Sequence, residues 1–460
     1  MAEQNANALA QIADLLGPRL TTALADRESH SRDEAYTPPV LPDAVAYPET
    51  TDEVSAILKI CHAQGCPVTA FGVGTSLEGH VVPTHGGVSL DMTRMNRVLA
   101  VHPQDLDAVV QPGLTRRDLN EELRDTGLMF TVDPGANATI GGMAATRASG
   151  TNSVRYGTIR ENVLALEVVL ADGTILRTGS RARKSAAGYD LTHLFIGSEG
   201  TLGIITELTV RLHGQPEKIS AATCAFESIS GAVESVISAI QMGLPMARIE
   251  LVDEVQVRAI NRYNADFDLP EKPYLFLEFH GSPDGVAEQV ENFRAIAEDQ
   301  GASAFQWAEK TEDRNRLWAA RHAAYYAVKT LRAGAVGVVT DCCVPISALA
   351  ACIARAKALI AASDLIAPIV GHVGDGNFHL QILVDPDSAQ EVQRAKTLAG
   401  QLNQLALDHA GTVTGEHGVG TGKLDYMQAE HGAAYQVMRD MKRCLDPKGI
   451  LNPGKLVGSL

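Results

Sequence analysis

No CxxC pair and no zinc-finger spacing occurs in this chain, whose seven cysteines stand at 61, 66, 224, 342, 343, 352 and 444. An odd, scattered set argues against a disulfide framework and for a reducing compartment with mostly buried thiols. Basic charge is also scarce. With 39 Lys and Arg against 55 Asp and Glu the formal charge is −16, which argues against a nucleic-acid or anionic-membrane partner, since both need a basic face. A local basic pocket for a carboxylate is still allowed. No apolar run of about 18 residues is evident, so no transmembrane segment is expected. The N-terminus, MAEQNANALAQIADLLG, reads as a short helix without the basic flank of a signal peptide or the arginines of a transit peptide, and a cytoplasmic location is expected. Internal repeats and low-complexity tracts are lacking. At 460 residues the chain is too long for one simple core, and two or three domains are expected.

What is present is glycine in clusters. Residues 51–65 read as an amphipathic helix with Thr51 as N-cap and Val54, Ile57, Leu58 and Cys61 on one stripe. A short strand, Cys66 to Phe71, then runs into Gly72-Val-Gly-Thr-Ser, a glycine turn whose amides suit phosphate. It is not a Rossmann fingerprint, since the third glycine is missing and His80-Val-Val-Pro opens no long helix. A second cluster, VDPGANATIGGMAATRASGTNSVRYG over 132–157, is too poor in large side chains to build its own core. It needs a flat, rigid partner or a closely approaching ligand. Just before it, Thr115 caps a helix with Asp118 three residues on, ended by Gly127. Just after it, ENVLALEVVLADGTILRTG reads as a hairpin with Asp172-Gly173 as a type I′ turn, and a third glycine segment follows at Gly197. From about 216, helices (230–242, 284–299, 312–332) alternate with strands (Tyr274–His280, Gly337–Val344), as in an α+β domain with an antiparallel sheet. Cys342 and Cys343 are expected on opposite faces of a strand.

Two apolar runs, Ala367 to Val373 and Phe378 to Val384, flank Gly374-Asp375-Gly376-Asn377. This reads as a hairpin with a four-residue loop, in which His372 faces His379. Directly opposed residues share a face with Cβ atoms roughly 4.5–5.5 Å apart, so the two imidazoles can share a metal ion. Glu416 in GEHGVGTGK is the candidate anionic ligand. Two His and one carboxylate suit zinc, manganese or ferrous iron, and the ligand set does not choose among them. Asp375 and Asn377 are read as turn formers. GVGTGK is not a phosphate loop, because Leu424 stands where Ser or Thr should follow Lys423.

In order, the motifs FGVGTSLEGH, DPGANATIGGMAATRASGTNSVRYG, GYDLTHLFIGSEGTLGIIT, LWAARHAAYYA, GHVGDGNFHL, GEHGVGTGK and LDPKGILNPGK resemble the flavoprotein family of cytochrome-type D-lactate dehydrogenase, D-2-hydroxyglutarate dehydrogenase and the FAD subunit of glycolate oxidase. The resemblance covers about residues 36 to 456, and LWAARHAAYYA and TDCCVPIS look most like its D-lactate branch. It implies an α+β fold of the vanillyl-alcohol-oxidase/p-cresol-methylhydroxylase type, with an FAD domain of two α+β subdomains and an α+β cap domain built on an antiparallel sheet. The implied division is an N-terminal helical segment 1–35, an FAD-binding domain 36–215, a substrate (cap) domain 216–425 and a segment 426–460 returning to the FAD domain.

By the same resemblance, Gly72, Val73, Gly74, Thr75 and Ser76 surround the FAD pyrophosphate. Pro134, Gly135, Thr139, Gly142, Ser149, Gly150, Tyr156, Glu199, Gly200 and Ile205 line the rest, and Asn452 approaches the isoalloxazine. The first glycine loop lacks the histidine that tethers FAD in some relatives, so FAD is expected to be non-covalent. Arg321 anchors the substrate carboxylate through charge-assisted hydrogen bonds. His372, His379 and Glu416 hold a divalent metal (zinc or manganese, with iron as a further option) on the substrate hydroxyl. His417 is the base, and Gln381, an asparagine in the hydroxyglutarate relatives, touches the substrate. The implied activity is oxidation of a small D-2-hydroxy acid, D-lactate first, by hydride transfer to flavin N5, with a cytochrome, quinone or electron-transferring flavoprotein as acceptor and a homodimer as an option. The alternatives are D-2-hydroxyglutarate or glycolate as substrate, or the FAD subunit of a multi-subunit oxidase.

Overall fold

The computed structural model describes residues 2–35 and 37–459; Met1 of the expected N-terminal helix and Tyr36, where the expected FAD domain begins, lie outside the described residues. The chain divides into two compact units: Met1–Ser149 with Gly157–Gln215 and Glu416–Leu460, and Gly150–Tyr156 with Pro216–Gly415.

The first unit contains two sheets. In one, Val88–Asp91 lies parallel to both Ala44–Ala46 and Val68–Phe71, with Leu20–Thr21 antiparallel at the edge. Its strands are apolar and buried because the helices Ala2–Leu16 and Thr51–Gln64 cover them: Ala8, Ile12 and Leu16 meet Val54, Ile57, Leu58 and Cys61. The N-cap of the second helix is Thr50, one residue before the expected Thr51, and its hydroxyl accepts from the Glu53 amide at 3.2 Å. The other sheet is antiparallel, in the order Val98–His102, Asp107–Val110, Ile204–Arg211, Val163–Val169, Ile175–Arg177. Its last two strands form the expected hairpin, but the turn is not type I′. Gly173 takes positive φ (81°) and Asp172 does not, since Val169 pairs with Ile175 and leaves a five-residue loop.

The C-terminal segment is pinned inside this unit by a buried ion pair. Lys442 Nζ contacts Asp446 Oδ2 at 2.5 Å and donates to the carbonyls of Thr201 and Leu451 at 2.7 Å each. Asp446 also accepts from the amides of Ile450 (3.1 Å) and Leu451 (2.8 Å), so the LDPKGILNPGK turn closes on its own aspartate and Leu451 bridges Val68.

The second unit is built on an eight-stranded sheet: Ala302–Ala308, Lys218–Phe226, Tyr274–Gly281, Met246–Val252, Ile369–Gly371, Asn377–Val384 and Val336–Val339, with Cys342–Cys343 also pairing to Asn377–Val384. One face buries a large apolar core under the helices Ile229–Gln241, Pro283–Asp299, Leu349–Ser363 and Ala389–Asp408. The expected helix over 312–332 is broken into Thr311–His322, Ala324–Val328 and a short 3-10 turn. Ile346–Ser363 has mean hydropathy 1.6 over 18 residues, long and apolar enough to cross a membrane by composition alone. This corrects the expectation that no such run exists. Arg355 and Lys357 interrupt it, and its Leu349, Cys352, Ile353 and Ala356 pack into the core.

Removing one partner of a buried ion pair leaves an uncompensated charge, at a cost of about 3–5 kcal/mol. Asp446→Ala is therefore expected to lower the first thermal transition clearly, while Asp440→Ala, an exposed position in the helix Ala433–Leu445 that precedes it, leaves it within a degree or two of wild type; differential scanning calorimetry separates the two.

Candidate active site

Strand register explains what gathers in the second unit. Directly opposed residues share a face, and the pairs Arg248↔Glu278, Glu250↔Phe276, Val252↔Val370 and Val370↔His379 carry one face across four strands. That face carries Arg248, Glu250, Glu278, His280, His379 and Gln381 beside an apolar patch that includes Val252, Phe276, Leu317 and Trp318. The helix Thr311–His322 covers the patch through Leu317 and Trp318, and one turn further on it carries Arg321.

The first cluster on this face centres on Glu250, which is 1 % exposed. Arg321 Nη2 donates to its Oε2 at 2.5 Å, and His372 Nδ1 donates to its Oε1 at 2.7 Å. Burial pushes the Glu250 carboxyl up, but the contacts with His372 and Arg321 outweigh it and hold the pKa below the ordinary value. His379 Nδ1 donates to the Thr340 carbonyl at 3.0 Å and lies 3.5 Å from Asp341. The His372 and His379 rings are 5.6 Å apart and nearly perpendicular. In both, the hydrogen on Nδ1 is committed to an oxygen, which puts the ring lone pair on Nε2. The Arg321 Nε and the Gln381 Oε1 are buried and have no hydrogen-bond partner among the described residues.

The pairing of the two histidines differs from the expectation in detail. His379 is opposed to Val370, not to His372, because Val373–Asp375 forms a 3-10 turn in which the Asp375 and Asn377 amides return to the His372 carbonyl. His372 thus lies just beyond its strand and still reaches the same face. Asn377 is more than a turn former: its buried amide donates to Asp341 Oδ1 (2.8 Å) and the Cys342 carbonyl (3.1 Å). A Cβ on Gly415 would stand 2.2 Å from that amide, so only glycine lets the chain pass there. Glu250 and Asp341 escaped the sequence reading, since each acquires meaning only from strands distant in sequence.

A second cluster shares the face. Tyr156 Oη meets His280 Nδ1 at 2.7 Å, and His280 Nε2 meets Glu278 Oε1 at 2.8 Å. Arg248 stacks over Trp318 at 4.7 Å and donates to Asn152 at 2.9 Å. Gly150 begins the short segment that carries Tyr156 in this unit.

In the first unit the glycine loops converge. A Cβ on Gly72 would stand 2.4 Å from Thr139 Oγ1, while Thr139 caps the helix Ile140–Thr146 by accepting from the Gly142 amide. Glycine backbone held this close to a helix cap leaves amides that suit a phosphate-bearing cofactor. Gly74 and Gly200 take positive φ, Val73 is exposed, Ser76 donates to Asp33 at 2.9 Å and Ile205 is in the core. Glu199, expected to line the cofactor, also holds the peptide at Val419 and Gly420: its carboxylate accepts from their amides at 2.7 and 2.9 Å. Asn452 donates to the carbonyls of Glu199 (2.7 Å) and His80 (3.1 Å). Burial disfavours a charged His80, but Glu199 beside it raises its pKa. Ser149 Oγ donates to Glu416 Oε2 at 2.6 Å, and His417 Nε2 is 3.7 Å from Glu416 Oε1.

This is the organisation of a two-part flavin enzyme, and the comparisons with known proteins agree. The chain belongs to the FAD-linked oxidase family: residues 215–456 match the model of the FAD linked oxidases, C-terminal domain, and 42–179 match the FAD binding domain. It is an FAD-dependent oxidoreductase of the vanillyl-alcohol-oxidase type of α+β fold. More particularly, it is 52% identical to the probable mitochondrial D-lactate dehydrogenase of Danio rerio, over 94% of this chain and 88% of that one. It is 44% identical to the mitochondrial D-lactate dehydrogenase [cytochrome] of Arabidopsis thaliana, over 98% and 80%. The structure of p-cresol methylhydroxylase with substrate bound superposes with a TM-score of 0.84 at 17% identity, covering 100% of this chain and 98% of that one, a likeness of fold. The expectation of a cytoplasmic location is overturned: these D-lactate dehydrogenases are mitochondrial by name.

Charge-assisted hydrogen bonds contribute about 1.5–3 kcal/mol each. Glu199→Ala is thus expected to speed amide exchange of the peptide holding Val419 and Gly420 roughly tenfold or more, as read by hydrogen–deuterium exchange mass spectrometry; unchanged protection would mean that this carboxylate does not secure the segment.

Proposed function

We propose that this protein oxidises D-lactate to pyruvate with FAD and a divalent metal, and passes the electrons to a cytochrome rather than to NAD. One observation carries the reading: Arg321, Glu250, His372 and His379 cluster on one sheet face with a buried donor, Arg321 Nε, and a buried acceptor, Gln381 Oε1, that lack partners among the described residues. A small, polar, anionic molecule satisfies both. Two imidazoles with Nδ1 committed and lone pairs on Nε2 are the donor chemistry of a first-row metal site.

Arg321 binds the lactate carboxylate, Glu250 holding one of its amino groups while Nε faces the ligand. His372 and His379 of the second unit hold the metal. Glu416, one peptide bond beyond that unit, supplies the anionic ligand, and Ser149 steadies its carboxylate. His417 accepts the hydroxyl proton on an imidazole nitrogen. Gln381 touches the substrate from the same sheet face. The glycine loops at 72–76 and 134–142, with Ser149, Gly150, Tyr156, Glu199, Gly200, Ile205 and Asn452, hold FAD without a covalent link. When bound, the flavin supplies the hydride acceptor and the metal supplies Lewis acidity at the hydroxyl oxygen.

The test is anaerobic bleaching of the flavin's visible absorbance by D-lactate, L-lactate, D-2-hydroxyglutarate and glycolate, before and after chelation. Rapid bleaching by D-lactate, lost with chelator and restored by zinc or manganese, is expected; bleaching that survives complete metal removal would sink the metal. His372→Ala should lose turnover and keep its flavin. Arg321→Ala should lower kcat/KM for D-lactate about 100-fold, mostly through KM, given the strength of a charge-assisted pair. Unchanged kinetics would place the carboxylate anchor elsewhere.

A further inference from the structure

We infer that Glu250 is a positioning residue that sets both halves of the substrate site at once, the nitrogen that His372 presents and the orientation of Arg321. The inference rests on the metal and substrate reading above and deepens it. Glu250 lies mid-strand in Met246–Val252, opposite Phe276 and 1 % exposed, where an unpartnered carboxylate would be costly. Its two oxygens are divided between two partners: Oε1 accepts from His372 Nδ1 at 2.7 Å and Oε2 from Arg321 Nη2 at 2.5 Å.

Each contact has a chemical consequence. A carboxylate can only accept here, so His372 must carry its ring hydrogen on Nδ1 and its lone pair on Nε2. A carboxylate on the far nitrogen also orients the ring and raises its basicity as a ligand, and loss of such a partner typically weakens metal binding 10–100-fold. On the other side, one amino group of Arg321 is held while its Nε remains buried without a partner among the described residues. The guanidinium is thereby fixed in the rotation that offers Nε to a substrate oxygen. The opposite charges of Arg321 and Glu250 also cancel, so that His372 sits beside a neutral pair.

Glu250→Gln separates this role from mere packing, because the shape is kept and the bonding is not. An amide has one accepting oxygen and one donating nitrogen. If the oxygen stays on Arg321, the amide nitrogen faces His372 Nδ1 and forces the ring hydrogen onto Nε2. If the oxygen stays on His372, two donors confront each other at Arg321. Either orientation breaks one half of the site.

The experiment compares flavin-loaded wild type and E250Q for zinc and manganese affinity, by competition with a chromogenic chelator, and for kcat and KM with D-lactate. A metal affinity lowered 10–100-fold, or a KM raised at least tenfold at saturating metal, is expected in E250Q. Affinity and KM both within twofold of wild type would overturn the inference. Should E250Q fail to hold flavin, the histidine tautomer decides on wild-type protein. In metal-stripped, 15N-histidine-labelled enzyme, the His372 resonance (the one lost in His372→Gln) should report hydrogen on Nδ1, and hydrogen on Nε2 overturns the proposal. A wild type that oxidises D-lactate but binds neither metal removes the metal reading, and the tautomer and the KM of E250Q still judge Glu250.

Discussion

A carboxylate removed from water must be met by donors, and in this protein that requirement draws together segments far apart in the chain. Asp446 gathers the Lys442 ammonium and two amides of the C-terminal turn. Glu199 collects the amides of Val419 and Gly420 across 220 and 221 residues of sequence. Glu250 takes Arg321 and His372, 71 and 122 residues away. Each is nearly inaccessible, so each contact is made in low dielectric, where a missing partner costs more than a present one gains. Buried carboxylates therefore act here as fasteners whose failure is local and specific.

The second organising fact is register. The sheet of the second unit buries one face in a conventional apolar core, and the pairings that put Ile249 and Leu251 into that core put Glu250 on the other side. Because pairing carries a face from strand to strand, Glu278 and His280, then Arg248 and Glu250, then His379 and Gln381 line up without being near one another in sequence. A slip of one residue in any of these strands would send the polar set into the apolar core. The chemistry of the site and the stability of the sheet are thus tied to the same pairing.

Much of this was legible beforehand. The helix with Val54, Ile57, Leu58 and Cys61, the helix capped by Thr115 and the hairpin around Gly173 follow from local periodicity and capping. His372 and His379 were found because glycines bracket them. The details that differ are those that depend on tertiary company. The turn after His372 is 3-10, so Val370 rather than His372 opposes His379. Asn377 turns inward because Asp341 lies beneath it.

The sequence by itself determined the elements, the glycine loops and the reactive side chains, since those are written in spacings of a few residues and in ordered motifs. Only the tertiary structure decided which nitrogen of His372 is protonated, which amino group of Arg321 is engaged, and that Glu250 joins them. A hydrogen-bond partner is a fact about distance in space. No local pattern in the chain distinguishes a glutamate facing water from one held between an arginine and a histidine.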